Sequence, residues 1–240
     1  MSTVAGFIGS VLFTSFLFLS VPVYGTAAIL LGTVSRRLSY GVAVAWSGSV
    51  LYLLKTLCGL RYLVEGTENL ERDNCIVLVK HSSAWETIAQ LKIFPRQTWV
   101  LKRELLWAPI LGWVLRFYSP IAINRKAGRA AVEQVVAQGR ERLERGYWVV
   151  IFPEGTRVAS GKAGRYGLSG ALLGIATGRP VIPVAHNAGA YWPRRGWLKR
   201  PGTIRLIIGE PIETAGRSPR ELTDEVQQWI DTTVAGMLDV

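Results

Sequence analysis

The sequence predicts an α/β protein: a single mixed or mostly parallel sheet flanked by helices, preceded by an N-terminal hydrophobic two-helix membrane motif. Three observations predict it. From Arg61 onward, short apolar runs alternate with longer helical patterns, as in sheets covered by helices on both faces. Residues 4–34 and 40–60 are almost continuously apolar and contain no acidic residue. The segments rich in candidate chemistry each follow a predicted strand, where such sheets hold their ligands. A chain of 240 residues suffices for one such domain with extra segments, so residues 1–60 are expected to attach to a membrane and residues 61–240 to form the α/β domain.

The almost continuously apolar N-terminus is interrupted by Pro22 and Gly25, and no Lys or Arg precedes it, which argues against a cleavable signal peptide. Two full membrane spans would put Arg36 and Arg37 on the side opposite the following domain, against the positive-inside rule if that domain is cytoplasmic. Two helices folded into one leaflet, kinked at Pro22, avoid the conflict. A single transmembrane anchor followed by a core helix is the other reading. Further on, strands are predicted at 62–64, 75–80, 98–102, 121–124, 148–152, 181–186 and 203–208. Helices are predicted at 84–93, 104–117, 127–145, 168–177 and 219–238. Ser83 with Glu86 three residues later is a capping-box signature, and Ser218, Pro219 and Glu221 mark the start of the last helix. The 104–117 helix is apolar nearly all round, which fits burial in a core or contact with lipid.

Net charge is +11, and its distribution is uneven: only Arg36, Arg37 and Lys55 are charged in the first 60 residues. The surplus elsewhere would attract nucleic acid, anionic lipid or a phosphorylated substrate. No RNP-like, KH-like or zinc-finger pattern is present, so no nucleic-acid partner is expected, and an anionic membrane surface is the better match. Trp192 and Trp197 among Arg194, Arg195, Lys199 and Arg200 read as an interfacial patch or as a merely basic loop. Cys58 and Cys75 form no CxxC motif, in keeping with a reducing compartment. With His81 and His186 as the two histidines, no metal-ligand spacing arises, and no metal is expected.

The strand at 75–80 runs into His81, and Glu86 falls in the first turn of the helix after it. Side chains there tilt toward the helix N-terminus, so Glu86 should point at the His81 loop. A carboxylate beside an imidazole fixes its tautomer and stabilises the imidazolium formed when it takes a proton. Equally, Glu86 could only cap the helix, and Ser82 and Ser83 read as caps rather than nucleophiles. The second chemical stretch is Phe152-Pro153-Glu154-Gly155-Thr156-Arg157. Gly155 allows close approach of a ligand to the backbone, and Arg157 offers a rigid fork of donors suited to phosphate. A Walker A loop is excluded, because Gly161-Lys162 comes one residue too late and Ala163 replaces the Ser or Thr. Gly167-Leu168-Ser169-Gly170 lacks the spacing of a nucleophile elbow. His186 reads as a cleft-lining or packing residue, and Arg125 as a solvated cation or a ligand for charge.

His81 with Glu86, Lys102-Arg103-Glu104-Leu105, Phe152 to Arg157, and Val181-Ile182-Pro183-Val184-Ala185 stand in the order of four sequence blocks. Over roughly residues 60–215 the chain resembles the glycerolipid acyltransferases, in particular the bacterial PlsC-type 1-acyl-glycerol-3-phosphate acyltransferases. That resemblance implies that His81 takes the proton from the acceptor hydroxyl, which attacks an acyl thioester directly, with Glu86 orienting His81. It implies that Arg157 holds the acceptor phosphate with Lys102 and Arg125 adding charge, that Glu154, Gly155 and Thr156 belong to the acceptor-binding turn, and that Pro183 shapes the acyl-donor side. It further implies lysophosphatidic acid as acceptor, acyl-CoA or acyl carrier protein as co-substrate, no cofactor, and a place at the inner membrane with the catalytic domain on the cytoplasmic face. The family's usual orienting residue is Asp; Glu86 is one methylene longer, a form also seen in the acyltransferases that finish lipid A.

Overall fold

Two apolar helices open the chain. α1 (Thr3–Val34) and α2 (Arg36–Cys58) are separated by Ser35, whose extended backbone turns the chain and whose hydroxyl accepts the Arg37 N–H at 3.2 Å. In the computed structural model, which describes residues 3–70, 73–162 and 164–238, α1 is one continuous helix with Pro22 inside it. Contacts on either side of the proline bind it to α2: Trp46 Nε1 donates to Ser20 Oγ at 2.9 Å, and the Tyr24 and Ser49 hydroxyls meet at 2.9 Å. The helices also touch at Gly9, where an added Cβ would lie 2.0 Å from the Leu57 carbonyl oxygen. Gly9→Val should therefore destabilise the fold by about 1–3 kcal/mol, the usual cost of overpacking, read as a lower midpoint in thermal denaturation in detergent.

The α/β part contains β1 (Leu60–Glu65), β2 (Ile76–Val79), β3 (Gln97–Lys102), β4 (Ile121–Ile123), β5 (Trp148–Ile151), β6 (Val181–His186) and β7 (Gly202–Ile208). They form one sheet in the order β1-β7-β6-β2-β5-β3-β4, parallel except where β6 meets β7, so the expected mixed sheet is present. Its helices are α3 (Trp85–Ile93), α4 (Leu111–Phe117), α5 (Arg129–Glu144), α6 (Ser169–Thr177), α7 (Ala188–Tyr191) and α8 (Pro219–Leu238). The capping box predicted for α8 is made in both directions, Ser218 N–H to Glu221 Oε2 and Glu221 N–H to Ser218 Oγ, each at 3.2 Å.

The predicted 104–117 helix is two pieces: a 3-10 turn over Arg103–Trp107 and then α4. Pro109 has no N–H for the helical ladder, and Ile110 leaves the helical region altogether with φ +62°. Likewise a 3-10 turn over Arg125–Ala127 precedes α5, where one helix was predicted from 127. Pro183 lies inside β6, an unusual place because proline has no N–H for a ladder. The register explains it. Val184 pairs with Ile208 but Val181 with Ile212, so one extra residue bulges opposite Pro183.

One face of the sheet packs against α1, α2 and α3: Phe13, Val50, Leu54, Trp85 and Ile88 share a core with Val77, Val79, Ile182 and Val184. The other face packs against α5, α6 and α8 through Val135, Leu173, Val226 and Ile230. The outer side of α1 remains apolar: Phe7, Ile8, Leu12, Phe18, Leu19 and Val23 are each more than half exposed. So are Trp107, Trp113 and Trp197, on neighbouring segments. Both α1 and α2 are long and apolar enough to cross a membrane, and an exposed apolar face of this extent marks membrane association.

Candidate active site

β2 and β5 are neighbours, but their chains leave in opposite directions. β2 continues into α3 on the hairpin face and on to β3, whereas β5 continues into α6 on the opposite face and on to β6. A crevice opens at the carboxyl ends of two strands whose connections diverge in this way. His81 stands directly after β2, and the Phe152–Arg157 turn directly after β5.

The turn after β5 wraps the histidine. His81 N–H donates to Glu154 Oε2 at 2.6 Å, and its carbonyl accepts the Val158 N–H at 2.8 Å. The imidazole stacks on the Phe152 ring at 4.3 Å between centroids. Nδ1 lies 2.9 Å from Glu86 Oε1, as predicted from helical side-chain tilt. Because Glu86 also accepts the Ser82 and Ser83 N–H groups at 3.0 and 2.9 Å, its oxygens act as acceptors and Nδ1 carries the ring proton. Nε2 is then the unprotonated nitrogen, and among the described residues it has no hydrogen-bond partner. Burial works against a charge on Glu86, but His186, His81 and the Ser83 N–H outweigh it and hold its carboxyl below the ordinary range. The Ser83–Glu86 box is half made: Ser83 Oγ accepts from Trp85 N–H at 3.1 Å and donates to the Trp192 carbonyl at 2.6 Å.

The remaining predicted residues divide into those the fold gathers and those it does not. Gly155, with φ +64°, closes the turn through its N–H to the Phe152 carbonyl at 3.0 Å, and its own carbonyl accepts from Arg125. Arg125 is thereby tied to the turn while its residue stays exposed to solvent. Thr156 is exposed at the tip. Arg157 is partly buried; its carbonyl accepts from Arg194 at 3.2 Å, while its buried Nε has no partner among the described residues. Lys102 is half exposed at the end of β3, 3.8 Å from Glu104. Glu154 is fully buried on the Lys80 ammonium at 2.6 Å, so it offers the crevice no oxygen. Pro183 is buried mid-strand against Gly209 and Trp229, on the sheet face away from α3, and stands apart from the cluster. Ala163, which excludes the Walker A reading, lies outside the described residues.

Sequence reasoning missed Lys80. Its ammonium, buried among Glu154, Asp231 of α8 (3.5 Å) and the Lys162 carbonyl (3.4 Å), ties both motif loops to the C-terminal helix. A charged residue closing an otherwise apolar run was the available signal.

A family model described as Acyltransferase matches residues 61–187, which include β2, β5, β6 and both motif loops. The chain belongs to the acyltransferase family. Among curated proteins, this acyltransferase is 41% identical over 240 residues to a 1-acyl-sn-glycerol-3-phosphate acyltransferase of Pseudomonas aeruginosa, covering 98% of this chain and 93% of that one. It is 26% identical over 190 residues to 1-acyl-sn-glycerol-3-phosphate acyltransferase alpha of Mus musculus, covering 78% of this chain and 65% of that one. Its fold is that of the crystal structure of the 1-acyl-sn-glycerophosphate acyltransferase PlsC from Thermotoga maritima, with a TM-score of 0.82 at 23% identity, over 99% of this chain and 98% of that one.

Proposed function

We propose that this acyltransferase moves a fatty acyl group from an acyl thioester to the 2-hydroxyl of 1-acyl-glycerol 3-phosphate, giving phosphatidic acid, with His81 as general base. The observation that carries the reading is the His81–Glu86 pair: a carboxylate-held imidazole directly after β2, whose backbone is bound by the turn that carries Arg157. Nε2 takes the acceptor's hydroxyl proton as the oxygen attacks the thioester carbonyl. Collapse of the tetrahedral intermediate expels the thiol, which leaves with that proton, and the new ester forms. Glu86 stabilises the imidazolium in between. The scheme requires neither an acyl-enzyme nor a metal or cofactor; acyl-CoA or acyl carrier protein is the co-substrate.

Arg157 supports a phosphate-bearing acceptor, since its buried Nε, without a partner among the described residues, belongs to a fork that suits phosphate oxygens, and Arg125 and Lys102 would add charge. Gly155 and Thr156 shape the same turn. Residues 1–60 serve as the membrane-attachment unit and 61–240 as the catalytic domain. The exposed apolar face of α1 rests in the cytoplasmic leaflet of the inner membrane, where anionic lipid meets the basic surface.

Arg157→Ala should raise the acceptor KM by about 10- to 100-fold and leave kcat nearly unchanged, because a charged hydrogen bond to a non-reacting phosphate contributes uniform binding. Steady-state kinetics with varied acceptor check this, and a lowered kcat at unchanged KM would contradict it. The function itself is tested by acyl transfer in lipid vesicles with lysophosphatidic acid, glycerol 3-phosphate, lysophosphatidylcholine and a lipid A precursor. Product from lysophosphatidic acid is expected; product only from another acceptor would keep the chemistry and overturn the substrate.

A further inference from the structure

The parallel register that sets Val79 beside Val184 brings His186, the last residue of β6, level with His81. His186 is buried, 1% exposed, and both of its ring nitrogens are engaged. Nδ1 accepts the Ala188 N–H at 3.2 Å, so the ring proton sits on Nε2, which donates to the Lys80 carbonyl at 2.8 Å. With Nδ1 committed as an acceptor there is no room for a second proton. Burial likewise pushes the imidazole below its ordinary value, with Glu86 only partly drawing it back. The groups facing it are Glu86 Oε2 at 3.8 Å, the Lys80–His81 segment and the edge of the Trp85 ring at 5.9 Å between centroids.

The Lys80 carbonyl and the His81 N–H belong to a single peptide group. Its carbonyl is held by His186 and its N–H by Glu154, which is itself fixed by Lys80. In a continuing strand, neighbouring backbone would satisfy both ends. Here two buried side chains do so, one from the end of β6 and one from the turn after β5.

We propose that His186 and Glu154 are positioning residues that clamp the 80–81 peptide plane and so aim the His81 imidazole, without either touching substrate. The proposal rests on His81 being the base. It gives Glu154 work distinct from acceptor binding and explains why a second histidine stands at the catalytic end of the sheet with no access to solvent. The peptide plane sets the direction in which the His81 side chain leaves the backbone. A small rotation there moves Nε2 away from the acceptor hydroxyl, and misplacements of this kind cost rate rather than affinity.

The test compares His186→Leu, His186→Gln and the double variant Glu154→Gln/Lys80→Met with the native protein and with His81→Ala, in vesicles containing lysophosphatidic acid and an acyl thioester. His186→Leu should lower kcat about 10- to 100-fold at unchanged acceptor KM and displace the pH profile of kcat/KM; His186→Gln, which keeps a donor near the Nε2 position, should recover most of both. The double variant should also lose kcat and keep KM. Native kcat and pH profile in His186→Leu would overturn the proposal. So would a Glu154→Gln/Lys80→Met variant whose only defect is a raised acceptor KM, because that is the behaviour of an acceptor ligand. Nitrogen NMR of the native protein's imidazoles decides independently of variant folding. His186 should keep its proton on Nε2 and not titrate between about pH 5 and pH 9, although a free histidine would; a second proton gained in that range would overturn the clamp. A native protein inactive with every acceptor would instead overturn the functional reading beneath it.

Discussion

His81→Ala should lower acyl transfer by about 10³-fold, the middle of the range for a positioned general base. The fold should survive. The other bonds of His81 run through its backbone N–H and carbonyl, which alanine keeps, and the ring lost is partly exposed. The informative experiment is single-turnover transfer with saturating thioester, beside a thermal melt of the same preparation. A variant that folds normally and turns over at the native rate would remove His81 from the chemistry.

Glu86→Gln should cost nearly as much activity, up to about 10⁴-fold by analogy with the neutralised orienting acid of a catalytic triad, where the wrong tautomer results. It should also cost stability. Glu86 accepts from His81, Ser82 and Ser83 while almost wholly buried, and an amide turns one of those acceptor oxygens into a donor. Each buried donor left unsatisfied costs about 1–3 kcal/mol. The direction with pH follows from the carboxyl being held low in the folded state. Its stabilisation is fully present above the unfolded value, near pH 4.3, and is lost as pH falls through the lower folded value. The gap in melting temperature between native and variant should therefore be widest near neutrality and narrow in acid. A gap that stays constant down to about pH 3 would mean that the folded protein does not hold the Glu86 carboxyl below its unfolded value.

The architecture could be read from the alternation after Arg61, since periodicity and strand-end motifs are local properties of the chain. The His81–Glu86 contact was legible for the same reason: five positions across a strand–helix junction fix the geometry almost by themselves. Contacts between distant segments were not. Lys80 meets Glu154 and Asp231, and His186 meets the Lys80 carbonyl, across separations that only the strand order determines. That order explains why Glu154, read as part of an acceptor-binding turn, points inward instead. The 104–117 segment shows the opposite fault: its apolar pattern suggested one helix, and Pro109 with its backbone consequence at Ile110 overrode the pattern.

The shared core of hairpin and sheet has a consequence for the order in which the chain is made. α1 and α2 leave the ribosome before the sheet, while several residues that complete their packing come much later: Trp85 and Ile88 of α3, Val114 of α4, and Trp192, whose ring meets Phe13 edge-on. Synthesis proceeds from the N-terminus at about 5–20 residues per second, so the two helices spend seconds without their partners. Lipid is the apolar surrounding they can occupy in that interval. The membrane then acts as a temporary substitute for the rest of the protein, and a chain released into water with the hairpin intact would reach its sheet with the most aggregation-prone surface still bare. Removing residues 1–60 does not cure this, because it strips the cover from Trp85, Ile88 and the β2–β6 face.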